Sequence, residues 1–439
     1  MTLDGGVMNT SQLDWTAGLD RLCVSGAVLL VAFSLAYGLS LLVASRRHSW
    51  RRASMADGLF YVFLLPCLNE ERVIEKSVRR LLDVPGDRFA VLVVDDASSD
   101  GTVAAVESIG DERVWLYRRT FPEAQQGKGE ALNAAVRWLQ QGALAEADPT
   151  KTVLVVVDAD GRLDVAAPAE VAPYFRTPAV GAVQVGVRIN NRATSLLARM
   201  QDMEFVIWTE VFQRGRRHLR SVGLGGNGQF MRLAALQSLG ESPWSPSLTE
   251  DLDMGVRLLA KGWRNEYCHT AAVHQQGVTQ LMRLLRQRSR WFQGHLLSVK
   301  LVPRVLRQVR GPAALDITYH LTGPLLLLVA SCLTGSFLLS LAAAVEALAA
   351  GHNPAGPWLL FTYVLSFGPA VVYSTVYWQR ERAEGVGLLR CWGLAHLYVL
   401  YGLMWYGAGW WALARIVRGQ HGWLKTERAP ESPVVAGAA

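Results

Sequence analysis

The run Val153-Leu154-Val155-Val156-Val157, followed at once by Asp158-Ala159-Asp160, limits the fold more than any other stretch. Consecutive apolar residues, mostly valine, describe a strand buried on both faces, as in a parallel sheet. Charges cannot sit inside such a strand, so both carboxylates belong at its C-terminal edge. That is the edge at which open α/β sheets bind ligands. Alternation predicts the two carboxylates on one side, and hard oxygen donors suit Mg2+ or Mn2+ with bound phosphates. A solvated Asp-x-Asp-Gly turn is the alternative reading.

The pattern around this strand extends the sheet. Apolar strands are predicted at Tyr61–Leu65, Ala90–Val94 and Val114–Tyr117, and helices at Val73–Leu82 and from Asn133 to Leu139. Alternating strands and helices describe a doubly wound, mostly parallel α/β sheet. Three of the strand ends carry acids: Glu70, the pair Asp95 and Asp96, and the pair Asp158 and Asp160. Helix capping explains any one of them, whereas three on one edge fit a ligand with a metal-bridged diphosphate and hydroxyls. The chain has no Gly-x-x-x-x-Gly-Lys-Ser/Thr loop and no Gly-x-Gly-x-x-Gly after its first strand, which excludes P-loop and dinucleotide chemistry. A nucleotide sugar remains.

With 439 residues the chain exceeds one compact core, and its 51% hydrophobic content is high for a soluble protein. The excess lies at the two ends. Leu22–Ala44 carries no charge and is long enough to span a bilayer, and Arg46, Arg47, Arg51 and Arg52 follow it. This predicts a retained anchor with the following domain in the cytoplasm. His320–Leu348, Trp358–Trp378 and Leu388–Ile416 read as further spans, although three of them would place the basic segment after Arg415 outside, against the positive-inside rule. The net charge of +7 is mostly arginine beside apolar runs, which favours membrane lipids over nucleic acid as partners. The five scattered cysteines fit neither a disulfide framework nor a zinc site. The expected organisation is a leader at 1–21, a span at 22–45, a catalytic domain at 59–275, amphipathic interface helices at 276–312, spans within 316–418 and a tail at 419–439.

Six segments in order resemble the membrane-bound, inverting family 2 glycosyltransferases, the group of the cellulose, chitin and hyaluronan synthases. They are Pro66-Cys67-Leu68-Asn69-Glu70, Val94–Thr102, Gly127–Asn133, Asp158-Ala159-Asp160, Thr249-Glu250-Asp251 and Gln287-Arg288-Ser289-Arg290-Trp291. The resemblance implies a GT-A fold flanked by transmembrane helices, a UDP-sugar donor, and Mg2+ or Mn2+. It implies Asp96 on the uridine, Asp158 near the nucleotide and Asp160 on the metal. Pro66, Asn69, Glu70, Lys128, Gln287 and Arg290 complete the donor site in this reading. It further implies Asp251, with Glu250 beside it, as the catalytic base, and places Gly226, Asn227, Gln229 and Trp291 at the acceptor.

Each of these residues has a plainer reading as well. The Gly225–Gly228 stretch serves a tight loop equally, Thr249–Asp253 is good helix-capping sequence, and a tryptophan at 291 suits a membrane interface. Residues 277–310 interleave arginines with leucines, as an amphipathic helix broken near Pro303 would. A strand at Ala182–Val187, a helix at Asn190–Gln213 and a helix at Leu252–Ala260 are also expected. The function expected is processive transfer from a UDP-sugar to a growing polysaccharide at the inner membrane, with room for an export or deacetylase partner. Transfer of one sugar to a polyprenyl-phosphate or glycolipid is the enzymatic alternative. A nucleotide-sensing transporter or scaffold is the alternative from another class.

Overall fold

The structure, a computed structural model, describes residues 10–47, 58–351 and 356–420. The N-terminal helix runs from Thr10 to Ser45, so it begins well before the predicted span and takes in half of the expected leader. Residues 1–9 of that leader, Arg51, Arg52 and the tail beyond Gln420 lie outside the described residues.

Eight strands form one sheet: β1 (Phe60–Cys67), β2 (Phe89–Asp95), β3 (Val114–Arg118), β4 (Thr152–Val156), β5 (Arg162–Leu163), β6 (Val180–Ile189), β7 (Gln229–Arg232) and β8 (Arg264–Gln275). Their order is β3-β2-β1-β4-β7-β6-β8-β5. The first four are parallel, as the buried valine-rich runs predict. In the far half β6 and β8 pair in parallel as well, while β7 runs antiparallel to both β4 and β6, and β5 antiparallel to β8, so the sheet is mixed and mostly parallel, as expected. An antiparallel strand starts at the edge where its neighbours end. The reversal of β7 therefore brings the preceding loop, Leu224–Gly228, to the edge where β4 ends, with Val156 opposite Gln229.

Both faces of the sheet are covered. Phe63, Val91, Val155, Phe230 and Val273 pack beneath the helix Ile74–Leu82 on one side. Leu64, Leu92, Val156 and Met231 pack on the other, against the helix Lys128–Gln141 and against Met254 and Leu258 of the helix Glu250–Ala260. The predicted helix from Asn190 begins only at Leu196, where Ser195 accepts a cap bond from the Ala198 N–H, and its last turn widens into a π-helix over Trp208–Gln213.

Among the described residues three helices are long and apolar enough to cross a membrane, within Val28–Ser45, Pro312–Gly335 and Leu360–Glu384. The predicted fourth is divided at Leu403 into Leu388–Gly402 and Met404–Val417, each short of the roughly 20 residues that a spanning helix needs. The segment that precedes the helix at Pro312 has the form expected from Pro303: a helix Leu281–Leu297, a 3-10 turn Ser298–Leu301 and a helix Val302–Gln308 with the proline in its first turn.

Candidate active site

The parallel register sets Cys67 beside Asp95, so the loops after β1 and β2 emerge together. They are stitched to each other. The Asn69 N–H donates to Ser98 Oγ (2.9 Å) and the Ser99 N–H to Asn69 Oδ1 (2.8 Å). The Glu70 N–H donates to Thr102 Oγ1 (2.7 Å), and the Glu71 carboxylate accepts from the Gly101 N–H (2.8 Å). Asn69 and Ala97 hold left-handed φ of 56° and 60°, tolerated by asparagine but disfavoured for alanine by about 1 kcal/mol or more. Asn69 thus shapes the pocket wall, its side-chain oxygen already engaged, and Pro66 lies within β1 opposite Val94. The carboxylate of Asp96 is buried and accepts from the Arg119 guanidinium and the Gln125 N–H (3.0 Å). Arg119, invisible to motif matching, holds that acid in place.

The second part of the site forms where four segments converge. Lys128 Nζ, at the start of its helix, donates to Asp158 Oδ1 (2.5 Å) and to the Gly226 carbonyl (2.5 Å). The Gly226 N–H donates to Asp251 Oδ2, and Asp251 Oδ1 has no partner among the described residues. Asn227 Oδ1 accepts from the Asp158 N–H (3.1 Å), and Asn227 Nδ2 donates to Gln275 Oε1 (3.3 Å) at the end of β8. Gln184 clamps the same loop from below, donating to the Asn227 carbonyl (2.8 Å) and accepting from the Gly225 N–H (2.9 Å). Two glycines permit this convergence. A Cβ on Gly129 would lie 3.1 Å from the Ser245 carbonyl and 3.4 Å from Glu250 Cβ, and one on Gly294 would lie 2.5 Å from Thr249 Cγ2.

Asp158 and Asp160 lie beyond the end of β4, in a turn closed by the Gly161 N–H to the Asp158 carbonyl (2.7 Å), so strand alternation does not govern their directions. The turn is pinned by Ser77 Oγ on the Ala159 carbonyl (2.6 Å). No group of three or more His, Cys, Asp or Glu gathers in ligating geometry among the described residues. Gln229 is buried, and neither end of its amide has a hydrogen-bond partner among the described residues. An interior amide left so is costly and calls for a ligand or water to complete it.

Charge is concentrated here. Burial, and next the neighbouring Asp251, push the Glu250 carboxyl up to about 7, against the pull of Lys128 and Arg290. Burial acts to lower the Lys128 ammonium, but Asp158, Glu250 and Asp251 outweigh it and hold it above its ordinary value. Burial lowers Arg290 from its usual value, although Glu250, Asp158 and Asp251 pull the other way. Arg290 therefore joins the site from the interface helix, together with its carboxylates. Asp253 does not: it is buried and paired with Arg257 (2.6 Å).

Trp291 lies one residue on but on a different surface. The Arg288 guanidinium carbon sits 4.3 Å from the Trp291 ring centroid, and Phe205 meets that ring edge to face at 6.3 Å. Arg288 is buried and paired with Glu204 (2.6 Å), which also accepts from Tyr401 Oη (2.7 Å) and Trp405 Nε1 (2.8 Å). The half-buried Gln287 shares the helix. Sequence reasoning missed Arg119, Gln184, Glu204 and Gln275. Two carried a signal: Gln184 is a polar residue inside an apolar strand, and Glu204 an acid inside an apolar helix.

Over 279 residues the chain is 33% identical to a beta-monoglucosyldiacylglycerol synthase of Trichormus variabilis, covering 61% of this chain and 56% of that protein. Over 235 residues it is 26% identical to a poly-beta-1,6-N-acetyl-D-glucosamine synthase of Staphylococcus aureus, covering 53% of each. The chain spans about half the length of the curated relatives it matches. A mannosyltransferase from Pyrobaculum calidifontis, solved with GDP-Man and Mn2+, shares its fold with a TM-score of 0.53 at 22% identity, covering 86% of this chain and 98% of that one. The match to the family described as glycosyltransferase like family 2 runs over residues 32–294, from the N-terminal span through both halves of the site. With its GT-A-type sheet, paired acids at the strand ends and Asp251 at the head of its helix, the chain belongs to that family of glycosyltransferases.

Proposed function

We propose that the chain transfers one sugar from a UDP-sugar to the hydroxyl of a membrane lipid, inverting the anomeric carbon to give a β-glycoside. The observation that carries this reading is the position of Asp251. One carboxylate oxygen is held by the Gly226 N–H and the other has no partner among the described residues, and Leu252, Val256 and Leu259 of its helix join, through Leu301 and Val305, one apolar cluster with Ala313, Ile317 and Leu321 of the helix that starts at Pro312. In the step, Asp251 Oδ1 takes the proton of the acceptor hydroxyl as that oxygen bonds to the anomeric carbon. The bond to the diphosphate breaks, and UDP leaves with the electron pair. Lys128 and Arg290 bring positive charge to where the leaving group gains negative charge.

Asp158 and Asp160 supply hard oxygen donors that fit Mg2+ or Mn2+, ions commonly held by one or two carboxylates plus substrate phosphates. Such an ion, when bound, neutralises charge on the departing diphosphate. Asp96, fixed by Arg119, would face the uridine.

A lipid acceptor is favoured over a polymer by Trp291. A stacking platform for successive sugars needs open ring area, and on this half-buried ring that area is reduced by the guanidinium of Arg288 over one face and by Phe205 meeting it edge to face. The alternative, processive polymer synthesis with an export or deacetylase partner, draws on Gln287-x-x-Arg290-Trp291 and on the similarity to the poly-N-acetylglucosamine synthase.

We also infer a topology that removes the conflict over the C-terminal spans. The segment from Leu388 is tied to the catalytic side throughout: Arg192 pairs with Glu384 just before it, Glu204 with Tyr401 and Trp405 in its middle, and Arg415 donates to Gln293 (2.8 Å) at its end. It lies along the interface instead of crossing. Three crossings then leave both the catalytic domain and the basic end at Arg415 and Arg418 in the cytoplasm, at the inner membrane.

The test is to incubate the purified full chain in lipid nanodiscs with radiolabelled UDP-sugars and Mg2+ or Mn2+, then partition the product. Label is expected in the organic phase as a single-sugar lipid, lost in excess chelator. Asp251→Asn should lower turnover by roughly a hundredfold or more while retaining UDP-sugar binding. Label in a glycosidase-sensitive aqueous polymer would overturn the lipid reading in favour of polymer synthesis.

A further inference from the structure

A cavity of about 410 Å3 opens between the helix that carries Asp251 and the interface helices, lined by Ser245, Asp253, Arg257, Lys300, Leu301 and Arg304. It lies outside the donor site. Its charge is unbalanced: Asp253 is taken by Arg257, which also donates to the Pro243 carbonyl, while Lys300 and Arg304 make no ion pair among the described residues. Ser245 Oγ, also in the lining, is buried without a hydrogen-bond partner among the described residues. Two spare cations and an unfilled hydroxyl around a cavity form a receptor for a phosphate-bearing anion.

Its place in the fold indicates where that anion comes from. Arg304 precedes by only two turns the membrane helix that starts at Pro312. Leu306 and Leu315 on either side of that junction are 58% and 73% exposed, as side chains facing acyl chains would be. Basic pockets at this depth suit lipid head groups. The cavity also touches the catalytic helix directly. Leu252, Val256 and Leu259 of that helix pack on Leu301 and Val305, and Thr249 Oγ1 lies 3.2 Å from Ser298 Oγ. A ligand bridging Arg257 to Lys300 and Arg304 would therefore brace the helix that presents Asp251.

We propose that this cavity binds the phosphate head group of an anionic phospholipid, distinct from donor and acceptor, and that its occupancy holds the catalytic helix in register with the membrane surface. The binding claim stands apart from the acceptor reading, and the first measurement involves no sugar transfer. Native mass spectrometry of the full chain in detergent, titrated with phosphatidylglycerol, should show one retained lipid. The double variant Lys300→Ala/Arg304→Ala should retain it at least about fivefold more weakly. The control pair Arg286→Ala/Arg307→Ala removes two exposed cations from the flanking helices Leu281–Leu297 and Val302–Gln308, outside the cavity, and should retain it normally. Unfolding midpoints of both variants check that each is folded. The second measurement is the ratio of turnover in phosphatidylglycerol-containing vesicles to turnover in phosphatidylcholine vesicles, which should exceed one for the wild type and fall to about one for the cavity variant. Equal losses in the two double variants would overturn the proposal in favour of diffuse surface charge. Full stimulation by soluble glycerol phosphate would overturn the lipid source.

Discussion

At the scale of single residues, the site is a small volume with more charge than its burial tolerates easily. Lys128, Asp158, Glu250, Asp251 and Arg290 meet there, and Glu250 bears the consequence, with its carboxyl raised to about 7. An acid that stays protonated to about pH 7 when folded, but ionises near 4.5 when unfolded, binds more protons in the folded state between those values. Its ionisation therefore weakens folding as pH rises from about 4.5 to 7, and the full penalty remains above that. The effect is on the order of 1–3 kcal/mol. Glu250→Gln, with no proton to lose, should melt above the wild type at pH 8, and the gap should narrow at pH 5. An identical gap at both pH values would show that the carboxyl is not raised.

At the scale of elements, the site depends on how closely two helices approach. Gly294 lets the interface helix lie against Thr249, which places Arg290 beside the acids around Asp251. Gly294→Ala puts a methyl 2.5 Å from Thr249 Cγ2 and 3.1 Å from its backbone nitrogen, so one helix must move. A loss of about 1–3 kcal/mol in stability is expected, with a raised KM for the UDP-sugar as Arg290 shifts. Gly393→Ala, inside a helix where the added methyl meets nothing, should leave KM unchanged and lose no stability, gaining up to about 1 kcal/mol. This dependence on neighbours also decides what the sequence made legible. The parallel half of the sheet was readable from β1, β2 and β4, because strands buried on both faces must be continuously apolar, and the acids at their ends follow from the same logic. The antiparallel β7 was not, since four residues after a glycine loop carry no period. The grouping of Arg290 with Asp158, Glu250 and Asp251 came from ordered motifs, not from any local rule, because nothing in sequence spacing brings residue 290 to residue 158. Trp291 shows the limit from the other side: the motif marks the residue, but its covering by Arg288 is decided by Glu204, more than 80 positions away.

At the scale of the whole molecule, the catalytic domain is fastened by buried ions to helices long and apolar enough to cross a membrane. Glu381, at the end of the helix Gly356–Glu381, is fully buried and pairs with Arg188, Arg192 and Arg199 of the catalytic domain. Asp202 shares Arg188 (3.0 Å) and accepts from Tyr377 Oη (3.1 Å) of the same membrane helix. Nearby, Arg380 pairs with Glu210 and donates to the His269 carbonyl (3.1 Å). Such a cluster contributes little net stability when intact, because desolvation offsets attraction, but losing one member leaves charges buried without compensation. Glu381→Gln leaves three arginines facing Asp202 and the more exposed Glu384. A loss of about 3–5 kcal/mol is expected. The site edge formed by β1, β2 and β4 lies outside this cluster, so UDP-sugar binding should persist at low temperature while transfer to lipid falls, because domain and membrane no longer hold one orientation. Limited proteolysis should report the same event as faster cutting in the turn at 190–195, which Arg192 anchors to Glu381 and Glu384. If Glu381→Gln melts with the wild type and transfers sugar to lipid at the wild-type rate, the ion cluster is not what joins catalytic domain to membrane. The apolar contacts of Met200, Met203 and Ile207 with Tyr377, Cys391 and Leu394 would then carry that junction alone.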